Sequence, residues 1–327
     1  MKPGFARRRT LLGGGLLLSL APGLARAQAW PSRTVRLVVP YPPGGASDIT
    51  ARLLAQELTS ALGQSFVVEN RGGAASITGT QAVATAPADG YTLGVVDTAF
   101  LVNPGLFGSR LPYDTQRDFT PISLLVRAPL ALVVPAAMPW RSVEELVAEG
   151  RAKPDALSFG SAGNGTAVHM AGEQFRQSAN FSYLHVPYRG GGPMITDLLA
   201  ARVQMAFGTV PAVAEHVRAG RLRALAVTGA SRAALLPEVP SMTEAGLPQV
   251  DAALINALIG PAALPETIVE RLASAARAVV TGPAIRTRLA ELGFEPVGSS
   301  AREVRDSFVA EIPRWEQVVR QAGITPD

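Results

Sequence analysis

From Thr34 onward short apolar runs alternate with amphipathic ones, and glycine or proline marks most of the changes. No other feature restricts the fold as much. Near-continuous apolar strands separated by helices build a parallel sheet covered on both faces. TVRLVVPY (34–41) leads into ITARLLAQELTSALG (49–63), where Ile49, Leu53, Leu54, Leu58 and Leu62 share one face. SFVVENR (65–71), TGTQAVATA and YTLGVVD (91–97) continue the pattern. After the apolar stretch 119–135 it restarts with SVEELVAEGRA, whose Ser142 and Glu145 are spaced as a capping box. LSFGSAG (157–163), GTAVHMAGEQFRQSA, FSYLHVPY (181–188), GPMITDLLAARV (192–203), QMAFGTV (204–210), PAVAEHVRAG and LRALAVTG (222–229) follow. Two similar α/β units predict two lobes with a cleft between them. The tail from Glu266 to Gly323 carries apolar residues at helical spacing and is expected to pack back onto the first lobe. That return makes the first lobe discontinuous in sequence, which suits a hinge.

A chain of 327 residues is long enough for two domains with cores of their own, and 47% hydrophobic against 17% charged residues is a folded composition. The first 27 residues stand apart, with a basic start, a Leu/Gly-rich middle and Ala25-Arg26-Ala27 before Gln28. They read as an export signal cleaved after Ala27, and Arg8-Arg9 followed by Thr10, Leu11 and Leu12 fits the twin-arginine type. An uncleaved anchor fits less well, because the apolar run is short for a bilayer and is broken by glycines and Pro22. Cleavage removes five of the 30 basic residues and none of the 26 acids, taking the formal charge from +4 to 25 − 26 = −1. The mature chain therefore carries no electrostatic footprint for nucleic acid. The absence of cysteine excludes disulfides, thiolate nucleophiles, Cys-bound metal and a lipid-modified cysteine. A soluble periplasmic protein is expected.

Four strand-to-helix turns share one design: Pro42-Pro43-Gly44-Gly45-Ala46-Ser47-Asp48, Asp97-Thr98-Ala99, Ser161-Ala162-Gly163-Asn164-Gly165-Thr166 and Arg189-Gly190-Gly191-Gly192-Pro193. Each follows the C-terminal end of a strand, the edge at which open α/β sheets bind ligands. Glycine lets backbone N–H groups approach a bound group, and a helix N-terminus adds donors and partial positive charge suited to a carboxylate. Steric punctuation explains any one such turn equally well, with Asp48 or Thr166 as a helix cap. Tyr41 and Tyr188, at matching strand ends, line a cleft or end a core. Arg71 and Arg189 are partners for a carboxylate or for surface acids.

Enzyme patterns are missing. There is no P-loop, G-x-G-x-x-G or G-x-S-x-G, and the one lysine beyond the signal, Lys153, precedes Pro154. His169, His185 and His216 lack metal spacing, so neither metal nor cofactor is expected. His169 lies one helical turn beyond Thr166, within reach of the cleft. A Ser161–His169–Asp197 triad can be drawn, and geometry alone would validate it.

PYPPGGASDITARLLAQEL, VVENRGGAASITGTQAVATAPADGYTL, FGSAGNGTAVHMAGEQF, HVPYRGGGPMITDLLAARVQMAF and AGRLRALAVTGASRAALLPEVPSMTEAG together resemble the Bug receptors. These are the extracytoplasmic solute-binding proteins of tripartite tricarboxylate transporters. The resemblance implies an α/β, two-lobed periplasmic binding protein (type II-like), each lobe a mixed sheet flanked by helices, with ligand in the interlobe cleft. Residues 28–124 plus 231–327 would form one lobe and 125–230 the other. It implies a monomeric, non-enzymatic receptor that holds a small organic carboxylate, largely through backbone groups and ordered water, and delivers it to membrane permease subunits. Carried over, the first lobe contributes Tyr41, Pro42, Gly44, Gly45, Ser47, Asp48, Thr98 and Ala99. The second contributes Ser161, Gly163, Asn164, Gly165, Thr166, His169, Tyr188, Gly190 and Gly191, with Asp197 ordering the last turn. Tyr41 replaces a frequent Phe, Met194 a common Ala, and Ala200-Ala201 a frequent Gly-Gly. Tyr41 and Met194 are expected to change the pocket's size and polarity, and Asp97 to disfavour an extra anionic group. A sensor docking on a membrane regulator would use the same closed state. A periplasmic hydrolase using Ser161 or Asp48 is the third reading.

Overall fold

The computed structural model describes Met1, residues 30–73 and residues 75–325; the export-signal expectation, with cleavage at Ala27, falls on residues outside these. The first unit runs β1 (Val35–Val39), α1 (Ala46–Leu62), β2 (Phe66–Asn70), α2 (Ile77–Ala84) and β3 (Thr92–Asp97). β1 lies between β2 and β3, parallel to both, with Val35 opposite Phe66 and Arg36 opposite Thr92. The second unit repeats the plan with β5 (Ser158–Ser161), α5 (Ala167–Ala179), β6 (Leu184–Pro187), α6 (Gly191–Leu199) and β7 (Met205–Thr209). Here β5 lies between β6 and β7, again parallel to both.

Each parallel set is completed by an antiparallel strand from elsewhere in the chain. β9 (Ala253–Pro261) joins β3, and the 17-residue β4 (Phe119–Pro135) joins β7. Residues 119–129 of β4 pair with β9, whereas 130–135 pair with β7 and β8 (Leu222–Val227), so one strand serves both sheets. The result is two mixed sheets flanked by helices, the two-lobed arrangement of periplasmic binding proteins. α8 (Glu266–Thr281) packs on α1 and β4, while α10 (Ala301–Ala322) packs on α3 (Ala99–Phe107), β4 and α5. The tail thus reaches beyond the first unit to the second. Residues 240–250 bond to the end of β8, through Val227 N–H to Pro240 O, Met242 N–H to Val227 O and Gly229 N–H to Val250 O. Among the described residues no helix is long and apolar enough to cross a membrane.

Several local expectations change. α1 begins at Ala46, three residues earlier than the apolar pattern suggests, because Gly45 is its extended N-cap and Asp48 caps from within the first turn. Its covered face is Ser47, Thr50, Ala51, Leu54, Ala55 and Leu58, with Ile49, Leu53 and Leu62 half-buried. Small residues hold that face close to the sheet and α8. In α4 (Val143–Ala152) only half of the expected capping box forms: Ser142 Oγ accepts from Glu145 N–H, but Glu145 accepts from Arg141 N–H instead of from the cap residue. A complete box occurs at Ser300 and Glu303 of α10.

Candidate functional site

The first turn projects Pro42–Gly45 outward at the end of β1, and a Cβ built on Gly44 or Gly45 would meet nothing within 4 Å. Gly44 needs its glycine for conformation, at φ +92°; Gly45, at φ −81° and ψ 173°, does not. The first intrahelical bond of α1 runs from Ile49 N–H to Gly45 O, and the N–H groups of Ala46, Ser47 and Asp48 before it have no partner among the described residues. Open backbone donors, a helix N-terminus and clear space above them coincide here. They are the elements of an anion site.

Asp48 faces away from that space. Its carboxylate accepts from Gly44 N–H (2.9 Å), Arg52 Nε (2.9 Å) and Asn70 Nδ2 (2.9 Å), and Asn70 Nδ2 also donates to Tyr41 O (3.1 Å). Burial pushes its pKa up, but the bonds from Arg52, Gly44 and Asn70 outweigh that and hold it below the ordinary value. Asp48 therefore shapes the turn. Ser47 is buried and accepts from Asn256 Nδ2 at 2.8 Å, tying α1 to β9. Thr98 is likewise committed: its hydroxyl donates to Ala253 O (2.9 Å) and accepts from Ile255 N–H (3.1 Å).

Tyr41 and Asp97 form the wall below the turn. Tyr41 Oη donates to Asp97 Oδ1 at 2.7 Å, and Ala99 N–H donates to the same oxygen at 3.0 Å. Both side chains lie deep in the molecule yet keep accessible surface, as groups lining a crevice do. Burial raises the Asp97 pKa to about 6, only partly opposed by these hydrogen bonds. Burial, then the Asp97 charge, pushes the Tyr41 phenol well above its usual range.

In the second unit the turn 161–166 is bonded largely to itself. Gly163 N–H donates to Ser161 Oγ, Gly165 N–H to His169 Nδ1 (3.2 Å), Thr166 N–H and hydroxyl to Gly163 O, and His169 N–H to Thr166 Oγ1. Asn164 is half-buried. His169 is buried beneath the turn, not in the cleft, and its ring stacks on His185 at 4.2 Å. Burial, then the charges of His185 and Arg176, lowers its pKa to about 3, so it is neutral and accepts the Gly165 N–H. Ser161, fully buried, pairs with His185 Nε2 at 2.7 Å, and Asp197 pairs with Tyr188 and Arg202. The Ser161–His169–Asp197 triad is not assembled. Gly165, at φ +75°, lies against the first unit: a Cβ there would come within 2.8 Å of Leu106 Cδ2 on α3.

The last turn is open like the first. Gly190 (φ +115°) gives its N–H to Ala162 O, while Gly191 and Gly192 N–H groups at the start of α6 have no partner among the described residues, and a Cβ at any of the three meets nothing within 4 Å. Tyr188 Oη donates to Asp197 Oδ2 (2.9 Å), and Arg202 Nη1 to Asp197 Oδ1 (2.7 Å). Bonds from Arg202, then Tyr188, keep the Asp197 carboxyl below its ordinary pKa. Asp197 thus anchors Tyr188 to α6. Met194 is a core residue, 1% exposed and packed over Gly160 beside Val203 and the Tyr188 ring, so its side chain offers no surface to a ligand. Arg71 is paired with Glu69 (2.6 Å), and Arg189 is exposed. A hollow of about 370 Å3 lined by Pro129, Val210, Leu235, Arg286 and Phe294 lies away from these turns, which border open space instead.

Sequence reasoning missed Asn70, Ser76, Asn103 and Asn256. Asn103 on α3 donates to Ala75 O (3.0 Å) and approaches Ser76 Oγ (3.4 Å), fixing a turn in which Ala75 (φ +50°) and Ser76 (φ +72°) are both left-handed. Asn103 and Asn256 are fully buried, and each leaves its Oδ1 without a partner. Polar residues in otherwise apolar segments were the available signal.

The family model described as tripartite tricarboxylate transporter family receptor, TctC, matches residues 50–324. A Pseudomonas sp. strain P51 protein from the tcbD–tcbE intergenic region is 38% identical, covering 96% of this chain and 94% of its own length. Protein BugT of Bordetella pertussis is 35% identical over 91% of each. Among solved structures, R. palustris Rpa4515 with adipate superposes with a TM-score of 0.84 at 36% identity, covering 91% of this chain and all of that one. MatC from Rhodopseudomonas palustris with bound malate gives 0.80 at 30%, covering 89% and all of that chain. The matched proteins are solute-binding receptors, not enzymes. On sequence and fold together, this chain belongs to the tripartite tricarboxylate transporter receptors, the Bug family.

Proposed function

We propose that the protein is a periplasmic receptor that captures a small organic carboxylate between its lobes and delivers it to the membrane subunits of a tripartite tricarboxylate transporter. The observation that carries this reading is the first turn, where unpaired N–H groups of Ala46–Asp48 meet open space over Gly44 and Gly45. The adipate and malate held by Rpa4515 and MatC support the ligand class. In this reading the N-terminus of α1 receives the carboxylate, and Gly190–Gly192 approaches from the opposite lobe. Asp48, His169 and Asp197 hold the turns in place. The lobes divide where β4 passes from one sheet to the other, and β4 and β9 are the connections about which they close.

Titrating the mature protein with mono-, di- and tricarboxylates, followed by calorimetry and melting temperature, tests the assignment. A ligand at one hundred times its Kd adds about 2.7 kcal/mol, which raises Tm by about 4 °C in a chain of this size. No stabilisation by any organic acid overturns it. Gly45→Val tests the turn itself. Its backbone is one that valine adopts and its Cβ direction is free, so folding stability should fall by no more than about 1 kcal/mol. Binding should be lost. Parent-like affinity would remove this turn from the site.

A further inference from the structure

Asp97 is a half-buried acid at the end of β3, bonded to Tyr41 below a turn that offers donors. One oxygen, Oδ1, takes both available bonds, from Tyr41 Oη and Ala99 N–H, which leaves Oδ2 without a donor from another described residue. No arginine, lysine or histidine is paired with it among the described residues. An ionised carboxylate held this deep without a cation is costly, and it repels any second carboxylate placed beside it. Tyr41, which binds it, stands three residues before Gly44, so acid and anion-receiving turn share one wall. An acceptor left open beside an anion site calls for a ligand that brings a donor of its own.

We infer that the cleft selects a carboxylate that also carries a cationic nitrogen, with the carboxylate at the N-terminus of α1 and the ammonium on Asp97. The inference rests on the carboxylate-receptor reading and narrows it to zwitterionic acids. An ammonium supplies the missing counter-charge and donates a charge-assisted hydrogen bond to Oδ2. It also stabilises the ionised form of Asp97, which burial otherwise disfavours. A plain dicarboxylate meets the same acid as repulsion.

Matched acids that differ only in the amine decide the matter: 4-aminobutyrate against butyrate, and aspartate against succinate, each titrated by calorimetry at pH 7.5. The amine-bearing member of each set should bind about tenfold tighter or better, as a hydrogen bond between charged groups allows. Asp97→Asn keeps an oxygen for Tyr41 and Ala99 and removes only the charge. It should abolish the amine preference, read as equal affinity for the amine-bearing and the plain member of each set. Plain acids binding the parent as tightly as their amine analogues overturn the inference but not the receptor. An amine preference that survives in Asp97→Asn does the same, and leaves Asp97 as the cap of α3. Should Asp97→Asn fail to fold, the parent's own ranking of the matched acids decides. If no acid in either set binds, plain or amine-bearing, the carboxylate-receptor reading falls with the inference.

Discussion

Asp48 and Asp97 stand at the same end of the first sheet and respond to protons in opposite ways. Asp48 is held ionised by three donors, so its contribution is present above the unfolded pKa near 3.8 and is lost as pH falls through its lower folded value. Asp97 is held protonated by burial, so its contribution is present below the unfolded value and is lost as pH rises through about 6. That loss is on the order of 2–3 kcal/mol at most. Melting temperatures measured from pH 3 to 8 without ligand should show Asp48→Asn flattening the acid limb, and Asp97→Asn removing the decline between about pH 4 and 7. Of the partners responsible, only Arg52, one turn along α1 from Asp48, is readable from the chain in order. Asn70 meets Asp48 from β2, and Tyr41 meets Asp97 from the end of β1.

Among the elements, those with clean periodicity were legible and those made by packing were not. The strands β1, β3 and β7 and the helices α5, α7 (Val210–Arg218), α8 and α10 follow their apolar patterns closely. α3 had no place in the sequence reading; it carries Pro104 and Gly105, residues that ordinarily weaken a helix, and Gly105 is what lets α10 cross: a Cβ there would sit 2.8 Å from Glu316 Cα. α6 ends at Leu199, short of the apolar run to Val203, because Ala201 turns the chain at φ +54°. A Cβ at positive φ is strained, so glycine suits position 201 better than alanine does. Ala201→Gly should therefore stabilise the protein by roughly 0.5–1 kcal/mol, read as a Tm increase of about 1–2 °C with ligand affinity unchanged.

At the scale of the whole molecule, two units of like topology are joined through strands that each sheet shares or lends. The second-unit turn at Gly165 rests on Leu106 of the first, so lobe position and turn geometry are coupled through α3. If ligand capture closes the lobes about β4 and β9, the radius of gyration from small-angle scattering should fall when a bound carboxylate saturates the protein. An unchanged value at saturation would show that capture occurs without closure.

The sequence by itself determined the two α/β units, the positions of the glycine turns between strand and helix, the missing enzyme and metal patterns and, through extended motif agreement, the family. These properties are local, set by apolar periodicity, backbone freedom and residue chemistry along a contiguous stretch. Only the tertiary structure decided which turns remain open. The N-termini of α1 and α6 keep N–H groups with no partner among the described residues, whereas the turn 161–166 spends its own on Ser161, His169 and Gly163. It also set the stacked His169–His185 pair under that turn and the burial of Asp97 without a cation beside Tyr41. Hydrogen-bond partners and electrostatic surroundings belong to groups far apart in the chain, and they become defined only when the strands that carry them are packed side by side.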